Sequence, residues 1–175
     1  MTSHLSCPPV ACTDVPTPLG PLLLVATEHG LAGAWFHEGQ RDTPAADVVA
    51  RWPRDPHHPL LQRTAGVLDR YFAGQAGAFD VPLDLSAGTD FQQAVWQALC
   101  LIEPGRTVSY GEVARAIGRP SAVRAVGAAV GANPISIIVP CHRVMGANGS
   151  LTGYSGGLHR KVALLALESG EPRLL

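Results

Sequence analysis

Two short apolar runs near the start of the chain predict a β-hairpin. Residues 22–26 and 31–36 are apolar almost throughout, and the polar segment Glu28-His29-Gly30 separates them as a turn would. Three prolines within residues 52–59 then exclude a regular helix. Beyond them, apolar residues recur at helical spacing up to Gly74; they are Leu60, Leu61, Ala65, Leu68, Tyr71 and Phe72. The first half therefore predicts a small sheet with one amphipathic helix.

Two capping boxes predict helices in the second half. Residues 89–92 and 109–112 each place a hydroxyl at a helix start and a Gln or Glu three residues later. The first of these helices follows an expected linker at residues 84–88. After the turn Gly118-Arg119-Pro120, a third helix is expected over residues 121 to about 132. Two helices joined by so short a turn form a helix-turn-helix candidate.

The third predicted helix consists of Ala, Val and Gly around a single charged residue, Arg124. A helix this thin either packs into a core or lets its backbone approach a groove of nucleic acid, and composition favours neither. With one long polar side chain it cannot read many base edges in the major groove. If the partner is DNA, insertion into the minor groove is favoured.

A candidate nucleophile follows an apolar run. Residues 135–139 are apolar enough for a buried strand, which would lead into Pro140-Cys141-His142-Arg143-Val144. His142 and Arg143 could both favour the thiolate of Cys141, although a cysteine in a buried strand is more often inert. Adjacent side chains on a strand point to opposite faces. His142 can therefore serve Cys141 only if the chain turns there or a water molecule bridges the two.

The last segments predict a Gly-rich loop and a terminal helix. Residues 146–157 could bring backbone N–H and hydroxyl groups to a planar ligand, or form an ordinary surface loop. The helix over residues 158–169 is expected to bury Leu158, Val162, Leu165 and Ala166. Glu168 lies in its last turn, where the helix dipole disfavours a carboxylate. It is either solvated or orients His142, which would complete a Cys-His-Glu triad.

Composition and charge exclude several classes of protein. With 46% hydrophobic residues among 175, the chain can bury a core, which excludes intrinsic disorder. The net charge is −1, so no overall basic field indicates nucleic acid. The first 85 residues carry −4 and the rest +3, a shift that indicates a domain boundary. No apolar run approaches the roughly 18 to 20 residues of a membrane span. We expect a cytoplasmic protein with no membrane partner.

The cysteines do not form a recognisable framework. Cys7, Cys12, Cys100 and Cys141 contain no C-x-x-C pair, which argues against structural disulfides and common zinc sites. Cys7 and Cys12 with His4 could touch a metal, but we expect them among frayed N-terminal residues. We therefore expect no metal and no cofactor.

The order of motifs in the second half resembles that of a known family. Three segments closely resemble the O6-alkylguanine-DNA alkyltransferases, or methylated-DNA-protein-cysteine methyltransferases: Asn133-Pro134, Ile137-Ile138-Val139-Pro140-Cys141-His142-Arg143-Val144 and Gly149-Ser150-Leu151-Thr152-Gly153-Tyr154-Ser155-Gly156-Gly157-Leu158. The resemblance covers residues 89–168. It is looser in the first half, where it rests on Pro18-Leu19-Gly20 and Tyr71-Phe72-Ala73-Gly74.

The resemblance implies an α+β fold in two domains. Residues 1–85 would form a ribonuclease H-like domain of a small sheet and helix, and residues 86–175 a mostly helical, winged-helix-like domain with the helix-turn-helix. The implied function is direct DNA repair by a single-turnover alkyltransferase, monomeric when free, on double-stranded DNA that contains O6-alkylguanine. The protein would bind in the minor groove, flip the damaged nucleotide and transfer its alkyl group irreversibly to Cys141.

The resemblance also assigns roles to residues at the reacting centre. Cys141 would accept the alkyl group, His142 would act as a base through water, and Glu168 would orient His142. Asn133 would support the turn, and Tyr110 would press on the 3′ phosphate and protonate the departing guanine. Contacts to the base would come from Pro140, Val144, Tyr154 and Ser155.

On the DNA side, the chain also departs from the family. The implied contacts come from Tyr110, Arg119, Ser121, Ala122 and Arg124. Arg124 would enter the stack in place of the flipped base. Relatives often carry basic residues at the places of Ser121 and Ala132, so we expect weak DNA binding that is lost early as salt rises. Some relatives bind zinc at the places of Thr27 and Ala32, and this chain should not.

Two other function classes stay open at this point. An alkyltransferase-like protein would bind a lesion without transfer, but such relatives lack the acceptor cysteine that Cys141 supplies. A cysteine hydrolase would use Cys141, His142 and Glu168, together with an oxyanion hole and usually a histidine distant in sequence. His159 is the only nearby candidate for that histidine.

Overall fold

The computed structural model describes residues 5–75 and 77–170, so His4 lies outside the described residues. The strands are β1 (Ala11–Val15), β2 (Leu22–Thr27), β3 (Gly30–Phe36), β4 (Val108–Ser109) and β5 (Val144–Met145). The helices are α1 (Ala46–Val49), α2 (Pro59–Phe72), α3 (Asp90–Cys100), α4 (Tyr110–Ala116), α5 (Val123–Gly131) and α6 (Leu158–Ser169). A small sheet thus precedes a mostly helical region, which confirms the predicted α+β class.

The first three strands form an antiparallel sheet in the order β1-β2-β3. β2 and β3 confirm the predicted hairpin, with an irregularity between Val25 and Ala26. Cys12 lies within β1 opposite Val25 and is fully buried with Trp35. The expectation that Cys12 is frayed is therefore wrong, because pairing with β2 holds this segment in the sheet. Within the described ranges, no group of His, Cys, Asp or Glu could hold a metal ion.

Helix α2 covers one face of the sheet and begins at a proline, which is favourable at the first helical position. Leu61, Leu68 and Phe72 enter the main core, where each buried side chain contributes about 1.5–3 kcal/mol. The segment after α2 returns to the sheet, where Asp84 N donates to Leu31 O at 2.8 Å. Thr27 Oγ1 also donates to the Asp84 carboxylate at 2.6 Å. Asp84, the first residue of the predicted linker, is therefore held against the sheet by hydrogen bonds.

Both predicted capping boxes are confirmed, at the starts of α3 and α4. In each, the cap hydroxyl accepts a backbone N–H and the Gln or Glu side chain accepts the N–H of the cap residue. Helix α5 packs against α3, and Trp96 Nε1 donates to Ala129 O at 2.8 Å. The parallel pair β4-β5 sets Val108 opposite Val144. The helix-turn-helix is thereby joined to the segment that follows Cys141.

The predicted strand over residues 135–139 is wrong. These residues form a buried turn, and only Ile135 bridges to the sheet, at Ala34. Ile137 has φ 72°, a left-handed conformation that strands do not use. Ser136 N still donates to Ala34 O of β3, but the other backbone groups are satisfied within the turn and by the Asn133 amide. Hydrophobicity alone does not distinguish this turn from a strand.

The predicted inward face of α6 is also wrong in part. Leu158 is 47% exposed and Val162 38% exposed, whereas Lys161 and Leu164 are fully buried. Ala166 is buried as predicted. The helix is rotated from its expected orientation because Lys161 finds acceptors inside the protein. Gly170 ends α6 in the left-handed conformation. No helix in the described part of the chain has the length and apolar character needed to cross a membrane.

Candidate active site

Asn133 shapes the turn that presents Cys141. Its Nδ2 donates to Val139 O at 2.8 Å and lies 3.1 Å from Cys141 Sγ, while its Oδ1 accepts from Ile135 N at 2.9 Å. One amide thus joins the beginning of the turn, its end and the sulfur. Among the described residues, Ile137 is the only one other than glycine with a positive φ. Strain of this kind persists where surrounding contacts hold it, and here the buried Asn133 network does so.

The thiol of Cys141 is buried and protonated at neutral pH. Burial raises its pKa to about 11, and the hydrogen bond from Asn133 and the charge of Lys161 lower the pKa only in part. The expectation that Arg143 favours the thiolate is not met, because the Arg143 guanidinium is turned to Glu168 instead. A reaction at this sulfur therefore needs a base to remove the proton.

His142, the next residue along the chain, is the imidazole nearest to Cys141 in sequence. The chain bends into a single 3₁₀ turn at Cys141–Arg143, so Cys141 and His142 do not alternate across a strand. His142 is fully buried, and its Nε2 lies 2.7 Å from Glu168 Oε1. Since a carboxylate only accepts, Nε2 carries the proton. Nδ1 is buried and has no hydrogen-bond partner among the described residues. Burial lowers the pKa of His142, which leaves Nδ1 a free acceptor.

Glu168 is the most heavily bonded group of the site. Its side chain is 1% exposed, which rules out the solvated alternative. Arg143 donates Nε to Oε2 at 2.9 Å and Nη2 to Oε1 at 2.8 Å, and its other terminal nitrogen donates to Ile102 O. Gly105 N reaches Oε2 at 3.3 Å. Burial opposes the charge, but the donors prevail and hold the pKa of Glu168 far below its ordinary range.

Tyr71 also contacts this carboxylate, which the sequence did not reveal. Its hydroxyl donates to Glu168 Oε1 at 2.7 Å from helix α2, across 97 positions of the chain. Burial and the neighbouring carboxylate raise the pKa of Tyr71, so it remains a donor. In the sequence Tyr71 is one apolar position of an amphipathic helix and part of the loose resemblance at residues 71–74, and neither gives it a role at this site.

Lys161 is the second residue that the sequence reasoning missed. Its fully buried Nζ donates to Val144 O at 2.6 Å and to Thr152 O at 2.9 Å. The ammonium fastens the strand after Cys141 to the Gly-rich loop. Desolvation lowers the pKa of Lys161, and the nearby Cys141 raises it. The available signal was that it is the one lysine among 13 basic residues.

A cleft of about 740 Å³ lies between α5 and the Gly-rich loop. Tyr110, Tyr154 and Ser155 line it, and so do the small residues Gly127, Ala128, Gly131 and Ala132. The hydroxyl of Tyr154 is buried and has no hydrogen-bond partner in the described ranges, and burial raises its pKa. The structure thus brings Tyr110, Tyr154 and Ser155 together.

Two residues expected at the substrate lie outside the lining of that cleft. Val144 is fully buried beneath the surface. Pro140 lines a different cavity of about 510 Å³ beside Arg143. Their contacts with a base stay a prediction. His159, the histidine considered for a hydrolase, is exposed on α6.

Helix α5 has one buried face and one exposed face. Val126, Ala129 and Val130 are buried in the core. The opposite face is exposed and carries Arg124, Ala125, Ala128 and Gly131. Of the other residues expected at DNA, Arg119 and Ser121 are exposed and Ala122 is half-buried at the start of the helix. A thin, open helix face with one arginine therefore borders the cleft.

Comparisons with known proteins identify relatives over most of the chain. Residues 90–170 match the family model "6-O-methylguanine DNA methyltransferase, DNA binding domain", and residues 10–85 match the ribonuclease-like domain of the same family. The methylated-DNA-protein-cysteine methyltransferase of Mycobacterium tuberculosis is 51% identical over 88% of this chain and 89% of its own. That of Methanosarcina acetivorans is 47% identical over 87% of this chain and 94% of its own.

Solved structures agree with these relatives. The crystal structure of Mycobacterium tuberculosis OGT in complex with DNA superposes with a TM-score of 0.82 at 47% identity. It covers 94% of this chain and 96% of the other. The sheet and the helical region therefore follow an arrangement that has been determined with DNA bound in the relative.

Proposed function

This chain belongs to the 6-O-methylguanine DNA methyltransferase family, and on that premise we propose how its residues perform direct DNA repair. The family assignment confirms the resemblance drawn from the sequence. The partner is DNA, and the reaction is transfer of an alkyl group to a cysteine of the protein. We further propose that the substrate is O6-alkylguanine in duplex DNA, approached from the minor groove by a monomer. The domains would be residues 1–85 and 86–175.

Cys141 is the proposed acceptor, and the observation that carries the assignment is a pair of adjacent contacts, Asn133 with the Cys141 sulfur and Glu168 with the imidazole of the next residue, His142. The thiol proton passes through a water molecule to His142 Nδ1. The sulfur then forms a bond to the alkyl carbon as the bond from that carbon to guanine O6 breaks. The electron pair of the broken bond stays on guanine, which takes a proton from the Tyr110 hydroxyl. The proton held by His142 then replaces the Tyr110 proton through water, and the products are guanine and S-alkylcysteine. A soft thiolate suits displacement at saturated carbon.

The thioether product gives single turnover. The carbon–sulfur bond of a thioether is not readily hydrolysed, so Cys141 is not regenerated and each protein molecule reacts once. A thiol with a pKa of about 11 is mostly protonated at rest, which protects Cys141 from other electrophiles. The imidazole base is then needed for each reaction, and Glu168 fixes the tautomer that leaves Nδ1 free.

The exposed face of α5 is the proposed contact to DNA. Its small residues allow the backbone to approach the minor groove, and Arg124 is its one long polar side chain. Arg124 would occupy the place of the flipped nucleotide, while Tyr110 would press on the 3′ phosphate and protonate the leaving guanine. Extrusion of the nucleotide from the duplex costs a few kcal/mol, and this cost is smallest for a damaged base pair. Insertion of Arg124 can offset it.

The cleft beside α5 is the proposed entry for the extruded base. Tyr154 and Ser155 line it and would contact the base, and the buried hydroxyl of Tyr154 is free to bond to it. Pro140 and Val144 would join these contacts deeper in the site. Arg119, Ser121 and Ala122 lie where α5 begins and would contact the DNA backbone.

Mass spectrometry after mixing the protein with a duplex carrying one O6-methylguanine tests the proposal. We expect one methyl group per protein at saturation, on the peptide that contains Cys141. The peptides with Cys7, Cys12 and Cys100 serve as internal controls and should stay unmodified. A methyl group on one of them would refute the assignment of Cys141. Lesion binding without any mass gain would make this chain a recognition protein.

A further inference from the structure

We propose that Tyr71 is a positioning residue for alkyl transfer, whose hydroxyl holds the Glu168 carboxylate against His142 and moderates the basicity of that carboxylate. The inference rests on the proposed function, and it deepens that function. It assigns the N-terminal half of the chain a part in the reaction, since Tyr71 lies on α2. Tyr71 does not touch the reacting atoms and acts only through Glu168.

The hydroxyl of Tyr71 and the imidazole of His142 donate to the same oxygen of Glu168. Glu168 Oε1 accepts from Tyr71 at 2.7 Å, from His142 Nε2 at 2.7 Å and from Arg143 Nη2 at 2.8 Å. Three donors on one carboxylate oxygen leave it little freedom to rotate. Any change in the hydrogen bond from Tyr71 to Glu168 therefore directly affects the hydrogen bond between Glu168 and His142.

The ring of Tyr71 is fixed by other aromatic side chains. Phe72 packs edge-on at 5.3 Å between ring centroids, and Phe79 packs at 5.1 Å with the planes tilted by 47°. Tyr71 itself is buried. Its hydroxyl is thus aimed by the core of the N-terminal half, and the ring would remain in place if the oxygen were removed.

The direction of the effect follows from the charge on Glu168. A donor to a carboxylate spreads its negative charge and weakens its pull on a neighbouring proton. Without the Tyr71 hydroxyl, Glu168 binds the His142 proton more strongly, and the pKa of His142 rises. The charged and titratable groups that face this pair are Arg143, Lys161, Tyr154 and Cys141. The substitution of Tyr71 by phenylalanine replaces none of these four side chains.

Two effects are expected for Tyr71→Phe. The rate of transfer at neutral pH should fall by about tenfold, the order of a hydrogen bond to a charged group. The acidic limb of the rate profile should move to higher pH by about 0.5 to 1 unit, because His142 must be neutral to accept the thiol proton. Each rate is divided by the folded fraction measured at the same pH, so that lost packing alone does not move the limb.

The test is the single-turnover rate of Cys141 alkylation by free O6-benzylguanine, measured from about pH 5 to 9 across the histidine range. Thr64→Val is the matched control, since Thr64 is also a buried hydroxyl on α2, and it donates to Leu60 O rather than to Glu168. We expect its profile to coincide with that of the unsubstituted protein. A Tyr71→Phe profile that also coincides, or a Thr64→Val profile that shifts equally, refutes the inference.

A second measurement keeps the test decisive if Tyr71→Phe folds poorly. Site-specific replacement of Tyr71 by 3-fluorotyrosine makes the phenol a stronger donor without removing it. The acidic limb should then move to lower pH, opposite to the shift with phenylalanine. A shift in the same direction, or none, contradicts the role of the hydroxyl. If the unsubstituted protein transfers nothing to Cys141, the proposed function itself fails, which is a distinct result.

Discussion

Glu168→Gln removes the charge at the centre of the buried network while keeping the shape of the side chain. The carboxylate accepts five donors, including the two-pronged contact from Arg143. An amide has one oxygen and one NH₂ group, so at least one donor of the network faces another donor. The Arg143 side chain is only 4% exposed and cannot turn to solvent without opening the site.

The expected loss of stability is large because the Arg143 charge remains buried without its counter-ion. Removing one partner of a buried ion pair costs about 3–5 kcal/mol. For a chain of this length, each kcal/mol lowers Tm by about 2–4 °C, so the variant should melt about 6–20 °C below the unsubstituted protein. The exposed pair Arg51–Asp47, at 3.7 Å with side chains 68% and 65% exposed, offers a contrast. Neutralising it by Asp47→Asn should change stability by less than about 0.5 kcal/mol.

Urea unfolding of the unsubstituted protein, Glu168→Gln and Asp47→Asn at neutral pH measures the two changes in the free energy of unfolding. The slope against urea should stay the same, so that the midpoint alone reports stability. Glu168→Gln should also slow transfer, because His142 loses the group that fixes its tautomer. A Glu168→Gln midpoint equal to that of Asp47→Asn would show that the network does not hold Arg143 as described, and the reasoning would be wrong.

Four further predictions concern the chemistry and the DNA. Cys141→Ser should abolish methyl transfer seen by mass spectrometry but leave lesion binding measurable; residual transfer would reveal another acceptor. Arg124→Ala should slow repair in duplex more than reaction with free O6-benzylguanine, and equal losses would remove Arg124 from nucleotide flipping. Because burial lowers the pKa of His142, the unfolded state takes up its proton first, so stability should fall as pH drops below about 6.5, and a flat melting profile would contradict this. Duplex affinity should be weak and lost early as salt rises, since Ser121 and Ala132 offer no cation; an affinity unchanged at moderate salt argues against it.

The elements that the sequence predicted well are those whose signals are local. A capping box closes its hydrogen bonds within three residues, and the boxes at Thr89 and Ser109 define the starts of α3 and α4. The hairpin of β2 and β3 likewise needed only two apolar runs and a turn between them. The motif around Cys141 identified the family for the same reason, because its residues are contiguous.

The errors come from contacts that join distant parts of the chain. Residues 135–139 are hydrophobic enough for a strand, but the Asn133 amide satisfies the polar groups of Ile135 and Val139 and closes the segment into a turn. Periodicity also placed Leu158 and Val162 inward on α6, whereas the helix buries Lys161. Its ammonium is buried because Val144 O and Thr152 O accept from it, a partnership that no hydropathy pattern contains.

Glu168 shows how a violated local rule can indicate a site. A carboxylate in the last turn of a helix opposes the dipole by about 0.3–1 kcal/mol, and the sequence already marked it as unusual. The structure supplies what offsets this cost, namely Arg143, His142, Gly105 and Tyr71, the last two lying 63 and 97 positions away. The fold alone gives little reason for a carboxylate at this position, because its stabilisation depends on so many distant donors. The contact with His142 is the simpler explanation for its presence. Because one of those donors comes from α2, the imidazole that we propose as the base for Cys141 is held by both halves of the chain, and a deletion of the first half should impair transfer even where the second half folds.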